Sequence, residues 1–173
     1  MPKFWVKWSP SCANIKVDLL FYDSPIGRLG LMGEGDFLTA LALPYSPVPM
    51  IMERETSVLQ EAKAQLEAYF AGSLRQFDLP LQLEGTTFQL TVWDQLQQIP
   101  YGQVISYGEL ACRIGQPGAS RAVGGANRRN PIPIIIPCHR VIAANGSLGG
   151  YSGNCRGSAL IKHSLLSLEG LTF

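Results

Sequence analysis

The chain has 173 residues, of which 46% are hydrophobic and 16% charged, and a formal net charge of +1. That balance excludes a disordered chain, and the length suffices for one large core or two small ones. No apolar run approaches the ~20 residues of a membrane span, so no membrane partner is expected.

Residues 1–18 carry Lys3, Lys7 and Lys16 without a continuous apolar segment or a small-residue cleavage site. A secretory leader is therefore not expected, and the cytoplasm is the expected location. Cys12, Cys112, Cys138 and Cys155 show no CxxC spacing. Reduced cysteines, with no metal and no cofactor, are the expectation.

Lys16 to Leu43 reads as an antiparallel meander. Strand-like runs at 17–22, 28–32 and 37–43 are split by the turn chemistry of Asp23-Ser24-Pro25-Ile26-Gly27 and Gly33-Glu34-Gly35-Asp36. Val58, Leu59, Ala62, Leu66, Tyr69 and Phe70 recur at helical spacing between Thr56 and Phe70, with Gly72 placed to end the helix. Residues 73–85 read as a linker. Nothing in the first 85 residues clusters catalytic side chains, so this half is expected to be structural support.

Thr86 or Thr87 can cap a second helix covering Phe88, Leu90, Trp93, Leu96 and Ile99. Ser106 opens a third through Tyr107, Leu110 and Ala111. After the turn Gln116-Pro117-Gly118-Ala119, Ser120 is placed to cap a fourth beginning Arg121-Ala122-Val123. Two short helices joined by a Gly/Pro turn make a helix-turn-helix candidate. Gly124-Gly125 in the middle of the last helix costs about 1 kcal/mol per glycine relative to alanine. Such a slim element suits close approach to another backbone better than dense base readout with long polar side chains. Asn127-Arg128-Arg129 then looks suited to phosphates. Further on, Ala144-Asn145-Gly146-Ser147 is a hairpin signal, and Ser158 can cap a final helix that ends near Glu169.

The charge is uneven along the chain. Residues 1–100 hold 7 basic and 11 acidic side chains, whereas residues 101–173 hold 7 basic and 2 acidic, the latter being Glu109 and Glu169. An anionic partner for the second half is the sharper reading, and a solvated basic face the blander one.

The chemistry concentrates at Asn130-Pro131-Ile132-Pro133-Ile134-Ile135-Ile136-Pro137-Cys138-His139-Arg140-Val141-Ile142, which reads as a buried strand ending in a thiol. A free thiol near pKa 8.5 is only a few per cent ionised at neutral pH and needs activation. Neighbouring side chains on a regular element point apart, so His139 is expected to reach Cys138 through a water or a local turn. Of the two carboxylates in this half, Glu169 is the better candidate to hold the imidazole. A buried Asn130 would pin the segment that presents the thiol.

Ile-Pro-Cys-His-Arg-Val at 136–141 resembles the active-site signature of the O6-alkylguanine-DNA alkyltransferases. So do Arg121-Ala122-Val123-Gly124-Gly125-Ala126-Asn127, Asn130-Pro131-Ile132-Pro133, Gly149-Gly150-Tyr151-Ser152-Gly153 and Leu165-Leu166-Ser167-Leu168-Glu169-Gly170. The resemblance implies an α+β fold. It places a small antiparallel-sheet, RNase H-like domain at 1–82 and a mostly helical, winged helix-turn-helix-like domain at 86–173.

It also implies a monomer that repairs double-stranded DNA containing O6-alkylguanine, binding in the minor groove and flipping the base. Cys138 would take the alkyl group irreversibly, activated by His139 through water with Glu169 behind it, and Tyr107 would protonate the leaving guanine. Arg121 would fill the vacated stack, and Ala122, Gly124, Asn127 and Arg128 would complete the DNA face. Asn130, Val141, Tyr151 and Ser152 would line or support the base pocket.

Asn154-Cys155-Arg156-Gly157 stands as an insertion relative to that pattern, and the first half has no histidine for the structural zinc of some relatives. Two other classes remain in view: a damage sensor without transfer, which Cys138 speaks against, and a cysteine hydrolase unrelated to DNA, which multiple turnovers would reveal.

Overall fold

A computed structural model describes residues 17–44, 46–49, 51–148 and 157–173. The chain divides into two compact units that meet between Thr86 and Thr87.

The first unit is built on three antiparallel strands in the order β1 (Asp18–Ser24), β2 (Gly27–Glu34) and β3 (Phe37–Ala42). The β1–β2 turn closes on Gly27 at φ +112°, where an added Cβ would stand 2.8 Å from Pro44. The register shifts between Met32 and Gly33, and the Thr39 hydroxyl donates to the Met32 carbonyl at 3.2 Å across that irregularity. Helix α1 (Ser57–Phe70) buries Val58, Leu59, Ala62, Leu66 and Tyr69, the single stripe that their spacing predicts. It ends with Gly72 at φ +76°. The Gly72 and Ser73 amides donate back to Tyr69 and Ala68, a closure that favours glycine. Leu38 exchanges backbone hydrogen bonds with Pro80 and Gln82, so the linker covers the edge of β3 that would otherwise offer unpaired groups.

The second unit contains α2 (Thr87–Gln97), β4 (Ile105–Ser106), α3 (Tyr107–Arg113), α4 (Ser120–Arg128), β5 (Val141–Ile142) and α5 (Ser158–Leu168). Trp93 is buried in α2, and its indole N–H donates to the Ala126 carbonyl of α4 at 2.9 Å. The Ser106 hydroxyl caps α3 by accepting from the Glu109 amide. Strands β4 and β5 pair in parallel, Ile105 opposite Val141.

Several local expectations need correction. Ser120 is not the cap of α4: Ala119 holds that position without a side-chain bond, because its carbonyl accepts the first helical bond, from the Val123 amide at 2.9 Å. Gly157, at φ +91°, rather than Ser158, precedes α5. The Asn145-Gly146 signal makes a turn closed by the Ala143 amide on the Ser147 carbonyl. The residues that would make the returning strand, from 149 to 156, lie outside the described residues.

Candidate active site

The apolar run before Cys138 is not a strand. Ile134 sits at φ +75°, the one non-glycine residue with positive φ among those described, and it is fully buried. A β-branched residue is strained there. The surrounding bonds enforce the turn: the Ile136 amide donates to the Ile132 carbonyl at 2.9 Å. Asn130 spans it, donating to the Ile136 carbonyl at 2.8 Å and accepting from the Ile132 amide at 3.0 Å. Pro137 follows at φ −80°, ψ 61°, and the Cys138 amide bonds back to the Ile136 carbonyl. That is an inverse γ-turn, which the fixed φ of proline favours. Cys138, His139 and Arg140 then form a single 3-10 turn.

In such a turn successive side chains diverge by about 120°, so Cys138 and His139 leave the backbone in different directions although both are buried. His139 Nε2 lies 2.9 Å from Glu169 Oε1. A carboxylate only accepts, so Nε2 carries the proton and Nδ1 is the basic nitrogen. Glu169 also accepts from Arg140 Nε at 3.0 Å on Oε2, from Arg140 Nη2 at 2.9 Å on Oε1 and from the Gly102 amide at 3.1 Å. The other fork of Arg140 donates to the Ile99 carbonyl at 2.6 Å.

Burial lowers His139 below its usual value, against the hydrogen bond and charge of Glu169, so the ring is neutral at neutral pH. Burial alone would raise Glu169, but hydrogen bonds and positive charge from His139 and Arg140 hold it at about 2. The buried carboxylate is thus compensated by a permanent cation, leaving the imidazole neutral and able to accept a proton. Glu109, the competing carboxylate, is exposed and bonds Arg113 at 2.7 Å.

Two further groups act on the site. Lys162, buried in α5, donates to the carbonyls of Val141 at 2.6 Å and Leu148 at 2.5 Å. Burial pulls its pKa down to about 8, while the charge on Cys138 works in the opposite sense. That interaction is mutual, so the ammonium favours the thiolate. Tyr107 is raised above the usual phenol value by burial and then by the charge on Cys138. At neutral pH it is a protonated hydroxyl near the thiol.

On α4, Arg121, Ala122 and Arg128 are exposed, as is Arg129 just after it; Gly124 is half-buried, and Asn127 is only 5% exposed. The expectation that Asn127 faces DNA is corrected here: its Nδ2 donates to the Cys138 carbonyl at 3.1 Å. Val123, Ala126, Asn127 and Asn130 follow the inward stripe at i, i+3, i+4 and i+7, a signal that the polar character of the side chain masks. Lys162 falls likewise on the apolar stripe of α5 with Ile161, Leu165 and Leu166, and a lysine there is the sign that could have found it. Arg140 stands inside the motif but carries no expected role, because sequence does not show which way its fork turns. Val141 is buried in β5. Tyr151, Ser152 and Cys155 lie outside the described residues. Among the described residues no group of His, Cys, Asp or Glu could hold a metal ion, and no helix is long and apolar enough to cross a membrane.

A buried thiol with a neutral imidazole and a compensated carboxylate beside it, in a unit that carries a helix-turn-helix, defines a cysteine-nucleophile protein on a DNA-binding scaffold. The sequence matches the family described as 6-O-methylguanine DNA methyltransferase, DNA binding domain, over residues 87–171, and its ribonuclease-like domain over residues 20–83. It is 49% identical over 153 residues to the methylated-DNA–protein-cysteine methyltransferase of Methanosarcina acetivorans, covering 86% of this chain and 96% of that protein. To the protein of the same name in Mycobacterium leprae it is 51% identical over 150 residues, 85% of this chain and 88% of that one. The crystal structure of Mycobacterium tuberculosis O6-methylguanine methyltransferase superposes with a TM-score of 0.80 at 48% identity, over 88% of this chain and 92% of that one. A crystal structure of the Mycobacterium tuberculosis relative in complex with DNA gives 0.79 at 48% identity, over 88% and 91%. The chain belongs to the methylated-DNA–protein-cysteine methyltransferase family.

Proposed function

We propose that this protein repairs DNA by moving the alkyl group of O6-alkylguanine onto its own Cys138, once per molecule. The observation that carries this is the buried Cys138 beside a His139 that burial keeps neutral against its hydrogen bond to Glu169, whose charge Arg140 compensates. His139, through Nδ1 and an intervening water, takes the thiol proton. The imidazolium that forms is stabilised by Glu169, and the Lys162 ammonium favours the thiolate. Sulfur then displaces the guanine from the alkyl carbon. The C–S bond forms, the C–O6 bond breaks with its electrons going to the base, and the Tyr107 hydroxyl gives the base a proton. A thioether does not hydrolyse, so there is no route back to the thiol.

The substrate is double-stranded DNA, approached through the minor groove by α4 of a monomer. A thiol 1% exposed cannot reach O6 inside a stacked pair, so the base is turned out of the helix. Arg121, exposed at the start of α4, fills the gap, Arg128 holds phosphate, and Tyr151 and Ser152 complete the pocket with Val141.

Mixing the protein with an oligonucleotide containing O6-methylguanine tests this by intact-mass and peptide analysis. One methyl group is expected, on the peptide containing Cys138. No gain in mass, or a methyl group on Cys155, would overturn the assignment.

A further inference from the structure

Asn127 is a buried carboxamide on the inner side of α4 whose two ends are treated unequally. Nδ2 donates to the Cys138 carbonyl at 3.1 Å, while Oδ1 has no hydrogen-bond partner. The orientation is not arbitrary. A carbonyl only accepts, so turning the amide over would set Oδ1 against the Cys138 oxygen. The Cys138 backbone therefore decides which face of Asn127 its surroundings meet.

Tyr107 is one of those surroundings. Its ring edge lies 3.9 Å from where a Cβ on Gly124 would stand. Gly124 and Asn127 are three residues apart on the same helix, hence on one face. A ring crossing Gly124 brings its hydroxyl within reach of the Asn127 amide. Asn127 Oδ1 accepts from no donor, so the phenol oxygen meets the amide as an acceptor, a contact that works to lower the phenol's pKa. The second N–H of the amide is the donor. A hydroxyl that accepts on this side keeps its own proton for the other.

We propose that Asn127 is a positioning residue for the proton delivered to the leaving guanine: the Cys138 carbonyl orients its amide, and the amide fixes the Tyr107 hydroxyl as an acceptor toward α4, so that the O–H points at the base. This rests on the reading of Cys138 as the alkyl acceptor. The balance of the step is unchanged. The thiol proton leaves toward His139, the C–S bond forms as C–O6 breaks, and the guanine receives the Tyr107 proton. The phenolate is then reprotonated from the imidazolium, so the net transfer is one proton from thiol to base. One amide thereby ties the backbone of the nucleophile to the group that protonates the leaving base.

The test compares two alkylating agents on the full-length protein. Transfer from O6-methylguanine in duplex DNA needs a proton on the leaving group, whereas reaction of Cys138 with iodoacetamide does not. Asn127→Leu is expected to slow single-turnover methyl transfer about 10²-fold, the usual weight of a positioned general acid. The variant also removes the bond to the Cys138 carbonyl, a loss both reactions share, so the iodoacetamide rate is expected to fall at least about tenfold less than the methyl-transfer rate. Tyr107→Phe should show the same split, and the double variant should be no slower than Tyr107→Phe alone. Asn127→Asp keeps the size but offers only acceptors, and it should lose methyl transfer at least as strongly because the carboxylate draws the phenol proton away from the base.

Equal losses with both agents would make Asn127 a support for the thiol segment only and overturn the proposal. So would additive losses in the double variant, or Asn127→Asp transferring at the wild-type rate. Failure of the wild-type protein to take a methyl group on Cys138 would instead sink the underlying reading, and the proposal with it.

Discussion

At the scale of single residues, the site is governed by how charge is cancelled in its interior. Glu169 meets three hydrogen-bond donors from two side chains and one from the backbone. Arg140 supplies the permanent charge. Removing it in Arg140→Ala leaves a buried carboxylate uncompensated, which costs about 3–5 kcal/mol. Denaturant melts at pH 7 should show that loss, together with a slower reaction of Cys138, because Glu169 then draws a proton onto His139.

The acid limb follows from the same groups. Glu169, held at about 2, contributes stability that is complete above the ordinary glutamate value of about 4.3. That contribution is lost as pH falls from there toward 2. His139 is lowered, so the unfolded chain binds a proton first as pH drops below about 6.5. Both therefore make the fold less stable toward acid, and circular dichroism melts in pH steps should show a monotonic decline from pH 7 downward.

Lys162 offers a separate handle. Lys162→Met keeps the length but removes the ammonium that favours the thiolate. The pH midpoint of Cys138 alkylation by iodoacetamide should move upward, and an unchanged midpoint would remove Lys162 from the account of thiol activation.

At the scale of elements, α4 is a helix whose two glycines have no internal cause. A Cβ on Gly124 would meet the Tyr107 ring at 3.9 Å, an ordinary contact, and one on Gly125 would meet the exposed Arg129 guanidinium at 3.7 Å. Alanine fits at both places and gains about 1 kcal/mol of helix propensity at each. The Gly124→Ala, Gly125→Ala double variant is expected to melt higher than the parent while binding duplex DNA more weakly. Tighter binding would remove close approach as the reason for the glycines.

What could be read from sequence divides at this scale too. The stripe of α1, the meander β1–β3, the Ser106 cap and the Glu169 partner were all legible, because periodicity and a shortage of carboxylates constrain them. The turn that seats Cys138 was not. An unbroken apolar run has no period, and neither the left-handed Ile134 nor the γ-turn at Pro137 leaves a pattern in residue types. Asn127 misled for the opposite reason: its polarity suggested DNA, although its place on the helix already pointed inward.

At the scale of the whole molecule, the acidic first hundred residues and the basic remainder fit the proposed placing of the DNA contact in the second part of the chain. Arg121, Arg128 and Arg129 are exposed on or just after α4, whereas Arg140 is buried and Arg113 is engaged by Glu109. DNA affinity should fall with salt, and Arg128→Ala should reduce the slope of log K against log salt by about 1. A full slope in the variant would take Arg128 off the phosphates.

The grip of Lys162 on the Leu148 carbonyl has a bearing on how this family can vary. Leu148 is fastened to α5, and Gly157 precedes that same helix. The eight residues between them therefore span two points already anchored on one element. Once the ends are fixed, lengthening a connection is cheap, about 0.6 kcal/mol for each doubling. An insertion of the kind expected at Asn154–Gly157 would then cost little stability. The ammonium that favours the thiolate also leaves the length of the neighbouring segment open to evolutionary drift.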